Sequence, residues 1–280
     1  MPGAIGDTEA AVFIPEVWSA KTVEARTGSY YMADRVDRWD EDVKDYGDTI
    51  HRPRVSEMAA SDVGADGSVS LSNPTEGEVS ITLSYWKAVG FRITDKVQRQ
   101  SKVNIANAYT KMAGKGLAKI IETGLLGLYS GITTYVLTAQ ATIDQDMILT
   151  ACADLDISNV PEDDRFCIVY PTQKKAILKI DQIIANLYLG DRNQGGDSIR
   201  TGRFNKEIYG IEFLSSPLVP LSTTYKNMMW HRSAFALAVQ TKVSMEELAR
   251  DGFRRTYAAG EVYGIGEVRD EHVVLLPTTG

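Results

Sequence analysis

The chain has few cysteines and no long apolar run. Only Cys152 and Cys167 could form a disulfide, and nothing around them indicates an oxidising compartment, so we interpret both as small core residues. No stretch of about 18 apolar residues occurs, and we expect no membrane-spanning helix. The first residues carry no basic charge before an apolar run, so we expect no secretory signal and a cytoplasmic site of synthesis and assembly.

The chain also lacks the short motifs of common catalytic and cofactor sites. Its three histidines, His51, His231 and His272, have no second ligand at a metal-binding spacing. Gly264 and Gly266 follow a strand-like segment, but the third glycine and the helix of a dinucleotide site are missing. No phosphate-binding loop and no nucleophile elbow is present. We therefore expect no catalytic residue, no metal and no cofactor.

Charge sets a further limit on function. The chain has 30 basic and 37 acidic side chains and a net charge of −7, which argues against a protein that mainly grips nucleic acid. Acidic pairs such as Asp144 and Asp146 leave a hydrolase as a remote alternative, although solvated surface explains them better. The glycine-rich loop 190–196, with Arg192 and the later Arg200, fits either a phosphate site or a flexible subunit contact.

Residues 47–129 carry the strongest structural signal. Residues 48–55 (DTIHRPRV) and 78–86 (EVSITLSYW) alternate with a period of two, as half-buried strands do, and predict a long hairpin. Its tip, residues 56–77, has almost nothing to bury, so in an isolated subunit we expect it to be mobile. Such a hairpin is best interpreted as an arm that contacts a neighbouring subunit.

A long helix is predicted directly after the hairpin. It starts near Asp95, where Gln98 completes a weak capping box, and apolar residues recur at three- and four-residue spacing over residues 101–129. At about 1.5 Å per residue this segment would form a rod of roughly 43 Å. Its glycines indicate close approach of another backbone or a bend, and the alternative is two helices broken near Gly114.

The rest of the chain predicts mixed helix and strand. A loose N-terminal arm precedes a short helix that opens at Pro15. After Gly131 the pattern predicts helices at residues 144–156 and 172–186, strands at 165–170 and 207–214, and two short closing strands at 260–268 and 272–276. The predicted class is α+β.

In this order, the chain resembles the major capsid proteins of tailed bacteriophages with the Hong Kong 97-type coat fold. The resemblance spans nearly the whole chain. The phrases that carry it are residues 13–21 (FIPEVWSAK), 46–50 (YGDTI), 91–95 (FRITD), 125–129 (LLGLY), 165–172 (RFCIVYPT) and 263–269 (YGIGEVR). Each phrase alone is weakly specific, and their order is the stronger signal.

The resemblance implies a division of the chain into parts. These parts are an N-terminal arm (residues 1–33), the extended E-loop hairpin with flanking peripheral-domain strands (34–94), the spine helix of the peripheral domain (95–133), a mixed α/β axial domain (134–255) and return strands of the peripheral domain (256–280). Some family members cross-link their subunits covalently through a lysine on the E-loop, but this chain has no lysine between Lys44 and Lys87. We therefore expect noncovalent contacts from that arm.

The resemblance also implies a function and partners. We expect a structural subunit that assembles into hexamers and pentamers of an icosahedral head around double-stranded DNA, as part of the virion. The expected partners are portal and scaffolding proteins and, in some heads, a decoration protein. An encapsulin-like shell around protein cargo is the alternative. The expected subunit-contact residues are the charged groups of the E-loop and the glycine-rich loop: Arg52, Arg54, Glu57, Asp62, Asp66, Glu76, Arg192 and Arg200.

Overall fold

The computed structural model of the chain describes residues 30–43, 47–55, 60, 62–63, 76–100, 105–180 and 207–280. The helices are α1 (Asp95–Gln100), α2 (Ile105–Gly127), α3 (Gln145–Ile157) and α4 (Pro171–Ile177). The strands are β1 (Asp37–Arg38), β2 (Thr49–Val55), β3 (Glu76–Thr82), β4 (Tyr85–Thr94), β5 (Arg165–Val169), β6 (Ile211–Ser215), β7 (Tyr225–His231), β8 (Phe235–Asp251), β9 (Arg254–Glu267) and β10 (Val273–Thr278). The predicted helix at Pro15 and the loop 190–196 lie outside the described residues.

The strands form two four-stranded sheets and a hairpin. Within the described residues, the first sheet has the order β1-β8-β9-β4, the second has the order β10-β7-β5-β6, and β2 pairs with β3 in a separate two-stranded sheet. In the second sheet β5 runs parallel to β6 and antiparallel to β7. The predicted α+β class is confirmed.

The long helix α2 packs against β4 and β9 of the first sheet. It is continuous from Ile105 to Gly127, so the alternative of two helices broken near Gly114 is wrong. Its buried face places Leu117, Ile121 and Leu125 in the core, which explains why the apolar spacing predicted it. Its 23 residues give a rod of about 35 Å. A 3₁₀ turn at Leu128–Ser130 continues it.

The predicted second strand of the hairpin, residues 78–86, is two strands. The chain changes partner between Thr82 and Tyr85, because β3 pairs with β2 while β4 pairs with β9. At the change, the Leu83 N–H donates to the Asp48 carbonyl at 2.7 Å and the Ser84 N–H donates to the Thr82 carbonyl at 2.9 Å. The period-two alternation of the sequence continues from Thr82 to Tyr85, so it does not reveal that the strand changes partner there.

Two predicted elements in the second half are shorter than expected. Helix α4 ends at Ile177, because the last turn tightens to i→i+3 bonds such as Ile180 N–H to the Ile177 carbonyl at 3.1 Å. Strand β6 begins only at Ile211, since Tyr209 and Gly210 have φ of 55° and 73° and form a tight turn instead. Positive φ at both central residues defines the type I′ hairpin turn.

Helix α3 covers one face of the second sheet. The Asp144 carboxylate accepts a hydrogen bond from the Met147 N–H at 2.8 Å, so it is the N-cap of this helix. Ile148, Ala151 and Leu155 on the helix are fully buried and join a core cluster with Cys167 and Phe213 of the sheet. Burial raises the pKa of the Cys167 thiol, in agreement with its interpretation as a core residue.

The closing strands are longer than predicted, and they belong to different sheets. Strand β9 begins at Arg254 because it pairs along its length with both β4 and β8. Strand β10 pairs with β7 in the second sheet. The division of the chain at residue 255 stays a prediction, and the two sheets exchange strands on either side of it. No helix of the described residues is long and apolar enough to cross a membrane.

Candidate contact surface at the β2–β3 hairpin

The base of the hairpin is a small hydrophobic cluster on the first sheet. Ile50 of β2 and Ile81 of β3 lie opposite each other and are 6% and 1% exposed. They pack with Trp39 and with Ala236 and Ala238 of β8. The small alanines leave room for the hairpin to lie across the sheet, so the base is fixed by packing.

Two glycines of β9 allow β3 to approach closely. A Cβ on Gly264 would lie 2.8 Å from the Thr82 carbonyl oxygen, and one on Gly266 would lie 2.9 Å from Ile81 Cγ1. Real Cβ atoms do not come this close to another heavy atom, so only glycine fits at both positions without a shift. The Gly264 and Gly266 pair, which does not fit a dinucleotide site, is therefore a packing device.

Arg52 holds the base of the hairpin to the preceding segment. Its guanidinium carbon lies 4.1 Å from the centre of the Trp39 ring, and its Nη2 lies 2.8 Å from an oxygen of Asp42. The Trp39 indole N–H donates to the Asp37 carboxylate at 2.7 Å. Arg52 thus combines a cation–π contact with an ion pair inside its own subunit.

The other charges on the hairpin are more exposed. His51 Nδ1 lies 3.3 Å from a Glu78 oxygen, and Arg54 lies 3.8 Å from Glu271, with each side chain about half exposed or more. Such pairs are individually worth about 1 kcal/mol or less. From residue 56 to residue 78 the sequence has no lysine or arginine and the acidic residues Glu57, Asp62, Asp66, Glu76 and Glu78. The basic residues of the hairpin therefore lie on β2, and the sequence from residue 56 to residue 78 carries acidic charge alone.

The predicted contact residues fall into distinct groups. Arg52 and Arg54 share the outer half of β2, and the backbone of Glu76 pairs with that of Val55 at the end of the described hairpin. Asp62 is exposed. Glu57, Asp66, Arg192 and Arg200 lie outside the described residues. Whether any of these side chains contacts another subunit stays a prediction.

Large apolar side chains are exposed near the hairpin, and the sequence analysis did not single them out. Trp86 at the start of β4 is 81% exposed, and Val55 at the outer end of β2 is 75% exposed. Exposed tryptophan is uncommon on a subunit that works alone, and tryptophan is enriched at protein interfaces. The strand pattern could have indicated that Trp86 is exposed, because successive side chains of a strand point to opposite faces. Its neighbour Tyr85 stacks on Tyr263 of β9, and Trp86 points the other way.

A buried carboxylate ties the start of the described chain to the long helix. Glu122 of α2 is 1% exposed, and its Oε2 accepts hydrogen bonds from the backbone N–H groups of Met32 at 2.8 Å and Tyr31 at 3.2 Å. Its Oε1 has no hydrogen-bond partner. Burial raises the pKa of Glu122, and the two N–H donors only partly oppose this. No motif spacing in the sequence signals this contact.

The same segment reaches the second sheet. Arg35 forms a two-pronged ion pair with Glu212 of β6, and its carbonyl accepts the indole N–H of Trp230 at 3.1 Å. Two residues on, β1 pairs in parallel with β8 of the first sheet. Residues 31–39 therefore form a strap that binds α2 and both sheets.

Two acidic side chains, Asp144 of the pair raised as a remote hydrolase site and Asp156 at the end of α3, have structural roles. Asp144 caps α3, and Asp156 lies 2.7 Å from the buried guanidinium of Arg165. Among the described residues no group of three or more histidine, cysteine or acidic side chains could hold a metal ion. An open cleft of about 550 Å³ lies between the start of α3 and α4, and Asp144 is the one side-chain carboxylate in its lining. The described residues that line this cleft therefore supply no pair of side-chain carboxylates.

Solved structures with the same architecture come from phages. A chain of Mycobacterium phage Che8 superposes with a TM-score of 0.77 at 23% identity, over 94% of this chain and 97% of that one. A chain of the capsid of cyanophage P-SCSP1u gives 0.77 at 14% identity, over 96% and 94%. A chain of the mature capsid of bacteriophage PhiM1 gives 0.71 at 11% identity, over 95% and 92%. No protein-family model and no curated protein matches the sequence.

Proposed function

We propose that the protein is the major capsid protein of a tailed phage, a structural subunit without catalytic activity. The chain has the fold of phage capsid proteins over nearly its whole length, and the predicted Hong Kong 97-type coat fold is confirmed. The observation that carries the proposal is the large share of both chains, this one and the phage one, that aligns in each comparison. Since at least 92% of both chains align in each of three phage structures, little of the chain is left for another domain.

The proposed assembly is a closed icosahedral shell of hexamers and pentamers around double-stranded DNA. The subunit supplies features that suit repeated contacts: a hairpin packed on the first sheet at Ile50 and Ile81, acidic charge alone from residue 56 to residue 78, and exposed Trp86 and Val55. Individually weak contacts become a stable shell when many act together. The net charge of −7 fits a shell that encloses DNA without binding a specific DNA sequence.

Within the subunit we propose to divide the domains along the sheets. The peripheral domain comprises α1, α2 and the sheet of β1, β8, β9 and β4, with the β2–β3 hairpin as the E-loop. The axial domain comprises α3, α4 and the sheet of β10, β7, β5 and β6. This moves residues 235–255 to the peripheral domain and β10 to the axial domain, compared with the division by sequence position.

The proposed partners are other copies of the chain, a portal, a scaffolding protein, packaged DNA and, in some heads, a decoration protein. The proposed location is the virion, after assembly in the host cytoplasm. The chain lacks a lysine between Lys44 and Lys87, and we propose that its shell is held by noncovalent contacts from the hairpin.

Deletion of residues 57–75 tests the role of the hairpin. The variant should fold, because the packed base at Ile50 and Ile81 is retained, but it should fail to form closed shells in electron micrographs. The matched control neutralises two acidic residues elsewhere, Glu162→Gln with Asp163→Asn on an exposed turn, and should assemble normally. Normal particles from the deletion variant would contradict the E-loop assignment. Shells that copurify with protein cargo in place of DNA would instead indicate the encapsulin-like alternative.

A further inference from the structure

The described chain crosses between the two sheets at three places. Residues 131–137 lead from α2 toward β10 and α3, a 3₁₀ turn at Arg232–Ala234 joins β7 to β8, and residues 268–272 join β9 to β10. A change in the angle between the sheets must be absorbed at these crossings and at the strap, residues 31–39, which also contacts both sheets. The chain within each sheet is held by ladder hydrogen bonds.

The three crossings are bonded to one another. The Val268 N–H donates to the Ala234 carbonyl at 2.8 Å, which joins the second crossing to the third. The Asp270 carboxylate accepts the backbone N–H of Thr134 at 2.9 Å and the hydroxyl of Thr133 at 2.9 Å, which joins the first to the third. We call residues 133–134, 231–234 and 268–272 the crossover clamp.

A chain of side-chain hydrogen bonds runs through the clamp from one imidazole to another. The Ser233 hydroxyl lies 2.8 Å from His231 Nδ1 and 2.7 Å from His272 Nδ1. His231 Nδ1 also accepts the backbone N–H of Ser233 at 3.2 Å, so this nitrogen carries no proton in the bonded arrangement. Since a hydroxyl donates only one hydrogen, Ser233 can then donate to His231 and accept from His272. The chain therefore requires a neutral His231.

The surroundings disfavour a charge on either ring. His272 is only 8% exposed, and the ring centres lie 5.7 Å apart. Arg269, His231 and Arg54 add positive charge around His272, and Glu271 opposes them. Around His231, Arg165 and Arg269 add positive charge and Asp164 opposes them. Burial, followed by the charge of Arg269, lowers the pKa of His272 to about 4, and burial also lowers that of His231.

We propose that the crossover clamp is a proton-operated latch between the two sheets. With both imidazoles neutral, the His231–Ser233–His272 chain holds the crossings together. When the rings take up protons, His231 loses its acceptor and two cations face each other beside arginines, so the crossings separate and the sheets can change their relative angle. The latch belongs to the single subunit and does not depend on the proposed assembly.

The expected size of the effect follows from linkage. A ring with a pKa of about 4 when the latch is closed and 6.5 when it is open favours opening as the pH falls through this window. Between about pH 7.5 and about pH 5, His272 alone should raise the opening constant about 30-fold. His231 acts in the same direction.

Hydrogen–deuterium exchange of the isolated subunit tests the latch. After correction for intrinsic exchange, the protection of residues 131–137, 231–235 and 268–275 should fall about 30-fold from about pH 7.5 to about pH 5. In His272→Asn, whose amide replaces Nδ1 but does not titrate, the fall should shrink to about threefold or less. The matched control is His51→Asn, because His51 lies on the exposed hairpin and should leave the full response unchanged. Equal protection at both pH values in the native chain, or the same fall in His272→Asn, would overturn the proposal.

A second measurement needs no variant. In protein labelled with ¹³C at histidine, the NMR signals of the three imidazoles report each titration directly. We expect one ring to titrate near pH 4 and one below its ordinary value, with changes in the Ser233 amide signal that follow them. Titration of both His231 and His272 near the ordinary value of 6.5 would contradict the latch.

Discussion

The carboxylate of Glu122 accepts the backbone N–H of Met32 at 2.8 Å, across 90 residues of sequence. Met32 and Glu122 are both at most 1% exposed. This contact fixes the strap, residues 31–39, to the long helix, and the strap in turn contacts both sheets. A single buried carboxylate therefore fixes the start of the described chain against the long helix.

Removal of this acceptor should destabilise the subunit. Glu122→Ala removes the acceptor of the buried Met32 N–H and of the half-buried Tyr31 N–H, and we expect it to lower the free energy of unfolding by about 1–3 kcal/mol. Glu122→Gln keeps an acceptor oxygen and should cost less. Urea denaturation of the isolated subunit measures both, with Glu162→Gln on the exposed turn as the control. A Glu122→Ala variant as stable as the native chain would show that the strap is held without this contact.

The same residue predicts a pH dependence with a definite sign. Burial raises the folded-state pKa of Glu122 above 4.5, so the folded state binds the proton more tightly than the unfolded chain does. The contribution of this group to stability is therefore largest below its unfolded pKa and is lost as the pH rises through the folded value. Compared with Glu122→Gln, the native chain should lose relative stability as the pH rises above 4.5. An identical pH profile for the two proteins would contradict the assignment.

A second prediction concerns the glycines beneath the hairpin. Gly264→Ala places a Cβ 2.8 Å from the Thr82 carbonyl oxygen, and we expect a loss of about 1–3 kcal/mol in the free energy of unfolding. The matched change Gly114→Ala, in α2, meets no atom within 4 Å and should stabilise the chain by up to about 1 kcal/mol. Thermal unfolding monitored by circular dichroism measures both. If the two variants shifted the midpoint in the same direction, the close approach of β3 to β9 would be wrong.

Arg52 should act mainly within its own subunit. Its contacts with Trp39 and Asp42 predict that Arg52→Ala lowers the free energy of unfolding by about 1 kcal/mol. A double-mutant cycle with Asp42→Asn isolates the ion pair, for which we expect a coupling of about 0.2–1 kcal/mol. A variant that keeps full subunit stability but loses assembly would assign Arg52 to the intersubunit surface instead.

Trp86 should behave in the opposite way. Because it is 81% exposed, Trp86→Ala should change subunit stability by no more than about 0.5 kcal/mol. In the shell we expect a neighbouring copy to cover it, since buried tryptophans often dominate interface energies. Light scattering during assembly should therefore show a large loss of shells in this variant. Normal assembly would remove Trp86 from the contact surface.

Much of the fold could be predicted from local sequence patterns. The alternation in β2, the apolar spacing of α2 and the Asp144 cap of α3 are local signals, and each marks the element that forms. The tight turn at Tyr209 and Gly210 was missed, because tyrosine is unusual at a positive φ. The break between β3 and β4 was missed because it depends on which strand each half pairs with, and periodicity does not encode the partner.

The buried polar contacts could not be predicted for a related reason. Glu122 and His272 meet Met32 and Ser233 across 90 and 39 residues of sequence, and neither lies at a motif spacing from its partner. The hairpin residues were easier to nominate, because a polar segment between two strands is visible in the sequence. Where their side chains go in an assembled particle depends on a second copy of the chain.

Electron cryomicroscopy of particles assembled from the purified chain tests the central claim most directly. We predict closed icosahedral shells of hexamers and pentamers in which the β2–β3 hairpin of each copy lies on its neighbour, without a covalent bond between them. A chain that stays a monomer or a small, closed oligomer, even with a nucleating scaffold or portal present, would contradict the account.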